Sequence, residues 1–173
     1  MDDSFLAYLE RLELIGFFSG YPLIYAIALV ITGNQRLKTS FISRIGPLLP
    51  FAYALVGTLF LGFELKKLYP VYSLEHIKQT VLHTYLVIWG LLAILFWIPA
   101  LSKKTFLSLI HSLVFFFLLV SDIFVQLSSP ADSDIVKNDM KVYTGSLFLN
   151  LCTLAFLVIL SFLFTSYKRR SNA

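Results

Sequence analysis

Residues 142–167 read VYTGSLFLNLCTLAFLVILSFLFTSY and contain no charged side chain. A helix needs roughly 20 apolar residues to cross a hydrocarbon layer about 30 Å thick. This stretch therefore predicts a membrane-spanning helix, long enough to tilt or to extend past the bilayer. Four further apolar windows lie at residues 14–33, 45–63, 81–101 and 105–121. The sequence thus predicts an all-α, polytopic integral membrane protein with five transmembrane helices and short loops.

The composition supports this class. The chain has 173 residues, of which 58% are hydrophobic and 14% are charged, and its mean hydropathy is +0.80. Soluble domains are about half apolar and about one quarter charged, so these values favour a membrane protein. We predict one membrane domain over residues 1–173. Residues 1–13 form either an interfacial helix or an extension of the first span, and residues 168–173 form a basic tail.

The charges between the apolar windows separate by sign. The acidic residues lie in the N-terminal segment and in the second and fourth connections: Asp2, Asp3, Glu10, Glu13, Glu64, Glu75, Asp122, Asp132, Asp134 and Asp139. The remaining connections and the C-terminus carry only basic charges: Arg36, Lys38, Arg44, Lys103, Lys104, Lys168, Arg169 and Arg170. Five crossings place the two sets on opposite faces. Since Lys and Arg mark the cytoplasmic side, we predict an external N-terminus and a cytoplasmic C-terminus, in a bacterial cytoplasmic (inner) membrane.

Polar and aromatic groups recur at one depth in the predicted spans. At about 1.5 Å per helical residue, a common depth near mid-membrane is reached by Tyr25, Tyr53, His111 and Asn150, with Trp89 close to it. One hypothesis is a polar pocket or proton path centred on His111, because ionisable groups inside membranes are often functional. The favoured alternative is a hydrogen bond between helices, such as one from His111 to Asn150, worth about 1 kcal/mol.

A second group of polar residues lies at the predicted outer ends of the spans. It consists of Glu64, His83 and Asp122, whose side chains are possible ligands for Zn²⁺ or a similar ion. The chain has no HExxH or comparable ligand motif, so we favour ordinary hydrated span ends and predict no metal. We also predict no cofactor. His83 and His111 lie at different depths, which disfavours haem, and no nucleotide-binding or nucleophile motif is present. The sequence therefore favours a protein without catalytic activity.

Small residues form two candidate contact faces. Gly16 and Gly20 are four residues apart, which permits close approach of another helix, although Gly20 equally suits a kink before Pro22. Residues Ala54, Thr58 and Gly62 form a longer stripe on the second span. We predict contacts with a partner along both faces. Packing within the monomer is the alternative reading for the longer stripe.

These features lead to three functional hypotheses. The leading one is a small accessory or scaffolding subunit of a larger membrane complex, because the segments outside the spans are too short to form a domain. Its expected partners are other integral membrane subunits and lipids, with a second copy of the chain as a further possibility. No nucleic acid is expected, because the net charge of +4 is concentrated at span ends. The alternative is a small oligomeric transporter or channel-like protein that uses the layer around His111. The third is an enzyme acting on lipid or isoprenoid head groups through the outer acidic residues and His83.

Overall fold

The fold of this chain is a helical bundle. The computed structural model describes residues 3–33, 45–70, 72–73, 81, 83–128 and 133–171. Helices account for 91% of this described part, which contains no strand, so the all-α prediction is confirmed. In chain order the elements are α1 (Asp3–Phe18), α2 (Tyr21–Gly33), α3 (Ile45–Lys67), α4 (Thr84–Leu91), a 3-10 helix (Leu92–Trp97), α5 (Pro99–Ser102), α6 (Thr105–Ser128) and α7 (Ser133–Ser171).

Four stretches of helix in the described chain are long and apolar enough to cross a membrane: Ala7–Thr32, Ile45–Lys67, Thr105–Val125 and Asn138–Lys168. They contain 26, 23, 21 and 31 residues respectively. The predicted third span, residues 81–101, contains a shorter apolar helix at Thr84–Trp97 instead. The predicted basic tail at residues 168–173 falls partly outside the described residues, whereas α7 itself continues to Ser171.

The first span consists of α1 and α2, which are separated by a break at Ser19 and Gly20. Both the amide and the hydroxyl of Ser19 donate to the carbonyl oxygen of Ile15, so this end of α1 remains hydrogen-bonded. Pro22 lies in the first turn of α2, where a missing amide donor costs least. The segment predicted as an interfacial helix or an extension of the first span lies within α1, which runs continuously from Asp3 to Phe18.

The third apolar window forms an irregular segment because α4 continues into a 3-10 helix. The chain then becomes extended at Ile98, and Pro99 begins the single turn of α5. Gly57 of α3 lies very close to the 3-10 helix of this segment. A Cβ atom at residue 57 would lie 2.8 Å from the Cβ of Ala93 and 3.0 Å from the amide nitrogen of Ile94. The absence of a side chain at Gly57 therefore allows α3 and the 3-10 helix to pack together.

Aromatic rings form the centre of the bundle around Phe18. Its ring stacks on Phe115 with 4.7 Å between centroids and makes edge contacts with Phe60 at 5.3 Å and Tyr53 at 5.7 Å. Each such pair contributes about 0.5–1.5 kcal/mol beyond the burial of its area. Phe18 thereby joins α1 to α3 and α6 at the centre of the bundle.

Candidate functional site

The strongest candidate site is a hydrogen-bonded cluster around His111 on α6. The Nδ1 atom of His111 lies 2.7 Å from the hydroxyl of Tyr53, and its Nε2 atom lies 2.7 Å from the carbonyl oxygen of Trp89. A carbonyl oxygen only accepts, so Nε2–H is the donor in that bond. In the neutral imidazole, Nδ1 then accepts a hydrogen bond from the Tyr53 hydroxyl. Both ring nitrogens are therefore engaged, and His111 is only 7% exposed.

Trp89 and His111 bind each other reciprocally. The indole Nε1–H of Trp89 donates to the carbonyl oxygen of His111 over 3.2 Å, while the imidazole donates to the carbonyl oxygen of Trp89. The two rings stack with 4.8 Å between centroids and an interplanar angle of 6°. This arrangement joins α4 to α6 through two hydrogen bonds and one stacking contact, and it restrains the orientation of the imidazole.

A stripe of polar residues on α6 receives the hydroxyl groups of successive tyrosines. His111 binds Tyr53, the hydroxyl of Ser108 lies 2.8 Å from that of Tyr21, and Tyr25 donates to Thr105 over 3.2 Å. The residues at 105, 108 and 111 are three apart and therefore share one face of the helix. The polar layer predicted from the sequence contained Tyr25, Tyr53 and His111. The prediction missed Thr105, Ser108 and Tyr21, although the three-residue spacing of the α6 stripe is visible in the sequence.

Asn150 belongs to a different contact from His111. Its Nδ2 atom donates to the carbonyl oxygen of Phe17 over 2.9 Å and to that of Ser146 over 2.9 Å. The hydroxyl of Ser146 in turn accepts from the amide of Gly20 over 2.8 Å. Asn150 therefore joins α7 to the end of α1, and the hydrogen bond from His111 to Asn150 that we considered is replaced by other partners at both residues.

A second cluster brings charged side chains together at one end of the bundle. We call it the charged layer, and it comprises Glu10, Arg11, Glu13, Glu64, Lys67, Asp122 and Asp139. Arg11 pairs with Asp122 over 2.5 Å, and Lys67 pairs with both Glu13 and Glu64. Glu10, which is 6% exposed, accepts a hydrogen bond from the backbone amide of His83 over 2.7 Å. The layer thus connects α1 with the end of α3, the start of α4, and α6.

The three weak metal candidates lie at this same end but have other contacts. Asp122 pairs with Arg11, Glu64 pairs with Lys67, and the amide of His83 binds Glu10. Among the described residues, no group of three His, Cys, Asp or Glu side chains is arranged to hold a metal ion. Two of the ion pairs in the charged layer, Arg11–Asp122 and Lys67–Glu13, join different helices, whereas Glu64 and Lys67 both lie on α3.

The small-residue faces have different surroundings. A Cβ atom at Gly20 would lie 2.5 Å from the amide nitrogen of Leu147, so Gly20 packs closely against α7 of the same chain. At Gly16 the nearest atom to such a Cβ is 3.6 Å away, on Val142. Ala54 is buried, whereas Thr58 and Gly62 are exposed. Hence the two faces are only partly used by contacts within the monomer.

The described residues form, among others, two open cavities on the surface of the bundle. One is a cleft of about 260 Å³ between the 3-10 helix and α6, and its lining consists of Trp89, Leu92, Leu95, Phe96, Leu101, Leu107, Ile110 and His111. The other is a groove of about 410 Å³ between α1 and α7, lined by Leu9, Leu12, Glu13, Gly16, Phe17, Val142 and Gly145. Below we refer to them as the α6 cleft and the α1–α7 groove.

The length and composition of the helices place this chain in the class of helical membrane proteins. No known protein family, no curated protein and no solved structure matches the chain.

Proposed function

We propose that this protein is a small subunit of a larger membrane complex, and that α7 contacts a transmembrane helix of its partner. The observation that carries this proposal is how little of the most apolar part of α7 is buried within its own chain. Only 11% of its apolar window is buried, compared with 56% for the first span and 50% for α3. Beyond Thr153, no side chain of residues 154–168 is buried.

The exposed surface of α7 over residues 138–168 supports helix contacts. Its C-terminal half presents large apolar side chains, including Phe156, Phe162 and Phe164, each more than half exposed. Its N-terminal half borders the α1–α7 groove, where a Cβ atom at Gly145 would meet nothing within 4 Å. Small residues allow helix backbones to approach closely in lipid, and such packing is a main driving force for helix association there.

This proposal assigns fewer residues to the contact with a partner than the sequence predicted. Gly20 and Ala54 pack within the monomer, so we do not assign them to a partner. Gly16 lines the α1–α7 groove and remains part of the main contact. Thr58 accepts a hydrogen bond from the indole of Trp97, and Gly62 lies in open space, so this part of α3 forms a secondary contact.

We also propose that residues 83–104 cross the membrane, which makes five spans. The backbone amide of His83 binds Glu10 in the charged layer, whereas Lys103 and Lys104 directly precede the start of α6 at the other end. The 3-10 helix supports this crossing because it rises about 2.0 Å per residue, against about 1.5 Å in an α-helix. Together with α4 it covers about 24 Å, close to the roughly 26 Å of α6 from Thr105 to Asp122.

Cysteine labelling tests this topology. In a Cys152→Ser background, Lys66→Cys and Lys104→Cys place thiols at two exposed positions, in the last turn of α3 and just before α6. With five spans and an external N-terminus, a membrane-impermeant maleimide labels residue 66 in intact cells and residue 104 only after permeabilisation. Labelling of both residues in intact cells would instead mean that residues 83–104 enter and leave on the same side.

The subunit role is tested by affinity purification in mild detergent, followed by mass spectrometry. We expect a larger membrane protein to copurify in a fixed ratio. Gly145→Leu should abolish this because it fills the α1–α7 groove, while Gly46→Leu is the matched control, since a Cβ atom at either glycine meets nothing within 4 Å. Gly62→Leu tests the secondary contact in the same way. Recovery of a monomer alone would contradict the proposal.

The transporter or channel-like alternative rests on the cluster around His111. We rank it second because both ring nitrogens of His111 already have partners, Tyr53 and the carbonyl oxygen of Trp89, which supports a packing role. A homo-oligomer without another protein, together with loss of a transport-dependent phenotype in His111→Gln at normal expression, would favour this alternative over the subunit role.

A further inference from the structure

We propose that the α6 cleft, together with Lys103 and Lys104, is a binding site for an anionic phospholipid. One acyl chain occupies the cleft, and the two lysines bind the phosphate of the head group. The cleft shares His111 with the polar stripe of α6, and the proposed lipid site is independent of the proposed subunit role.

The position of the cleft suits an acyl chain. Its lower part is formed by Leu101 and Leu107, on either side of the lysines in the sequence, and its upper part is formed by Trp89 and His111. From Lys104 to His111 the helical rise is about 10 Å, so the cleft extends from the level of a head group toward the middle of the membrane. Its mouth is lined by Leu92, Leu95 and Ile110, each about 40% exposed.

The break in the third apolar window explains why the cleft exists. The 3-10 helix and the extended residue Ile98 replace the last turns of a regular α-helix. α4 is attached to α6 through Trp89 and His111, and the cleft beside this contact is lined by Leu92, Leu95 and Leu101 on one side and by Leu107 and Ile110 of α6 on the other. A narrow apolar space therefore opens toward the hydrocarbon. At about 260 Å³ it lies at the lower end of ligand pocket sizes, which suits a single chain rather than a bulky ring system.

The charges at the end of the cleft favour an anionic head group. Lys103 and Lys104 are both exposed, and among the described residues neither takes part in an ion pair. Residues 84–121 contain no acidic residue at all. Basic residues near a membrane surface attract anionic lipids at about 1 kcal/mol each. A pair of unneutralised lysines beside an apolar cleft therefore complements both parts of such a lipid.

Quenching of Trp89 by brominated lipids tests the proposal directly. Trp97→Phe leaves Trp89, which lines the cleft, as the only tryptophan. The protein is reconstituted into equimolar phosphatidylglycerol and phosphatidylcholine, with brominated acyl chains on one lipid or on the other. We expect stronger quenching when phosphatidylglycerol carries the bromine, corresponding to roughly a thirtyfold preference for this lipid if both lysines contribute fully.

Two double variants separate a defined site from general surface charge. Lys103→Gln with Lys104→Gln should remove the preference. Lys66→Gln with Lys168→Gln changes the net charge equally at two other exposed lysines and should retain it. Equal quenching by both lipids in the parent protein, or no quenching by either, would overturn the proposal. An equal loss of preference in the two double variants would overturn it as well.

Discussion

Replacing Gly20 by alanine tests the close packing between the break in the first span and α7. The new Cβ atom would lie 2.5 Å from the amide nitrogen of Leu147 and 2.7 Å from the carbonyl carbon of Ser146. These are backbone atoms, so no flexible side chain can give way. Ordinary van der Waals contact begins at 3.4 Å, which means that α7 must retreat by about 0.9 Å.

This displacement also affects two hydrogen bonds. The bond from the amide of Gly20 to the hydroxyl of Ser146 is 2.8 Å, and the bond from Asn150 to the carbonyl oxygen of Phe17 is 2.9 Å. A retreat of about 0.9 Å along these directions lengthens both beyond hydrogen-bonding range. Overpacking costs about 1–3 kcal/mol, and hydrogen bonds between membrane helices average about 0.6 kcal/mol. The free energy of unfolding should therefore fall by about 2–4 kcal/mol.

Equilibrium unfolding in mixed micelles of dodecylmaltoside and SDS measures this change, with tryptophan fluorescence as the readout. Gly145→Ala on α7 and Gly62→Ala on α3 are matched controls, because a Cβ atom at either position meets nothing within 4 Å. Both controls should be neutral, or stabilising by up to about 1 kcal/mol through helix propensity. An unfolding free energy for Gly20→Ala equal to that of Gly145→Ala would refute the reasoning.

Three further changes can be measured by the same unfolding assay. His111→Leu should cost about 1–3 kcal/mol because the fully buried hydroxyl of Tyr53 loses its partner, and adding Tyr53→Phe should cost less than the sum of the single changes; strict additivity would argue against that bond. Lys67→Met should cost about 1–3 kcal/mol by removing the cation shared by two partly solvent-screened carboxylates, and Glu64→Gln in that background should restore part of the loss; no rescue would count against the ion pair. Gly57→Ala should cost about 1–3 kcal/mol because its Cβ atom would lie 2.8 Å from another Cβ atom in the 3-10 helix, and an unchanged protein would contradict that contact.

The starts of α3 and α6 were the most predictable part of the fold. Charged side chains cannot lie in hydrocarbon without compensation, so their positions in the sequence bracket each apolar window. Predictions for α3 and α6 began at residues 45 and 105, the positions where the helices begin. Their other ends extend beyond the predicted limits to Lys67 and Ser128, because ion pairs at Lys67 and Asp122 allow charged residues to remain within the helical bundle.

The arrangement of side chains around the bundle was less predictable. Counting residues gives the depth of a side chain but not the direction in which it points or the helix that it faces. Depth placed Tyr53, His111 and Asn150 in one layer; the first two contact each other, while Asn150 faces the end of α1. The break of the third window into a 3-10 helix was also missed, because its packing against Gly57 depends on which helices are neighbours.

The contacts of α7 with the first span have a consequence for synthesis of the chain. Gly20 and Ser146 are 126 residues apart, and Phe17 and Asn150 are 133 apart. At about 5–20 residues per second, a ribosome needs roughly 6–25 s to make the intervening chain. During that interval the first span lies in the membrane, and the backbone amide of Gly20 and the carbonyl oxygen of Phe17 lack the hydrogen-bond partners that α7 later provides. Insertion factors or lipids must shelter this surface until α7 has been synthesised.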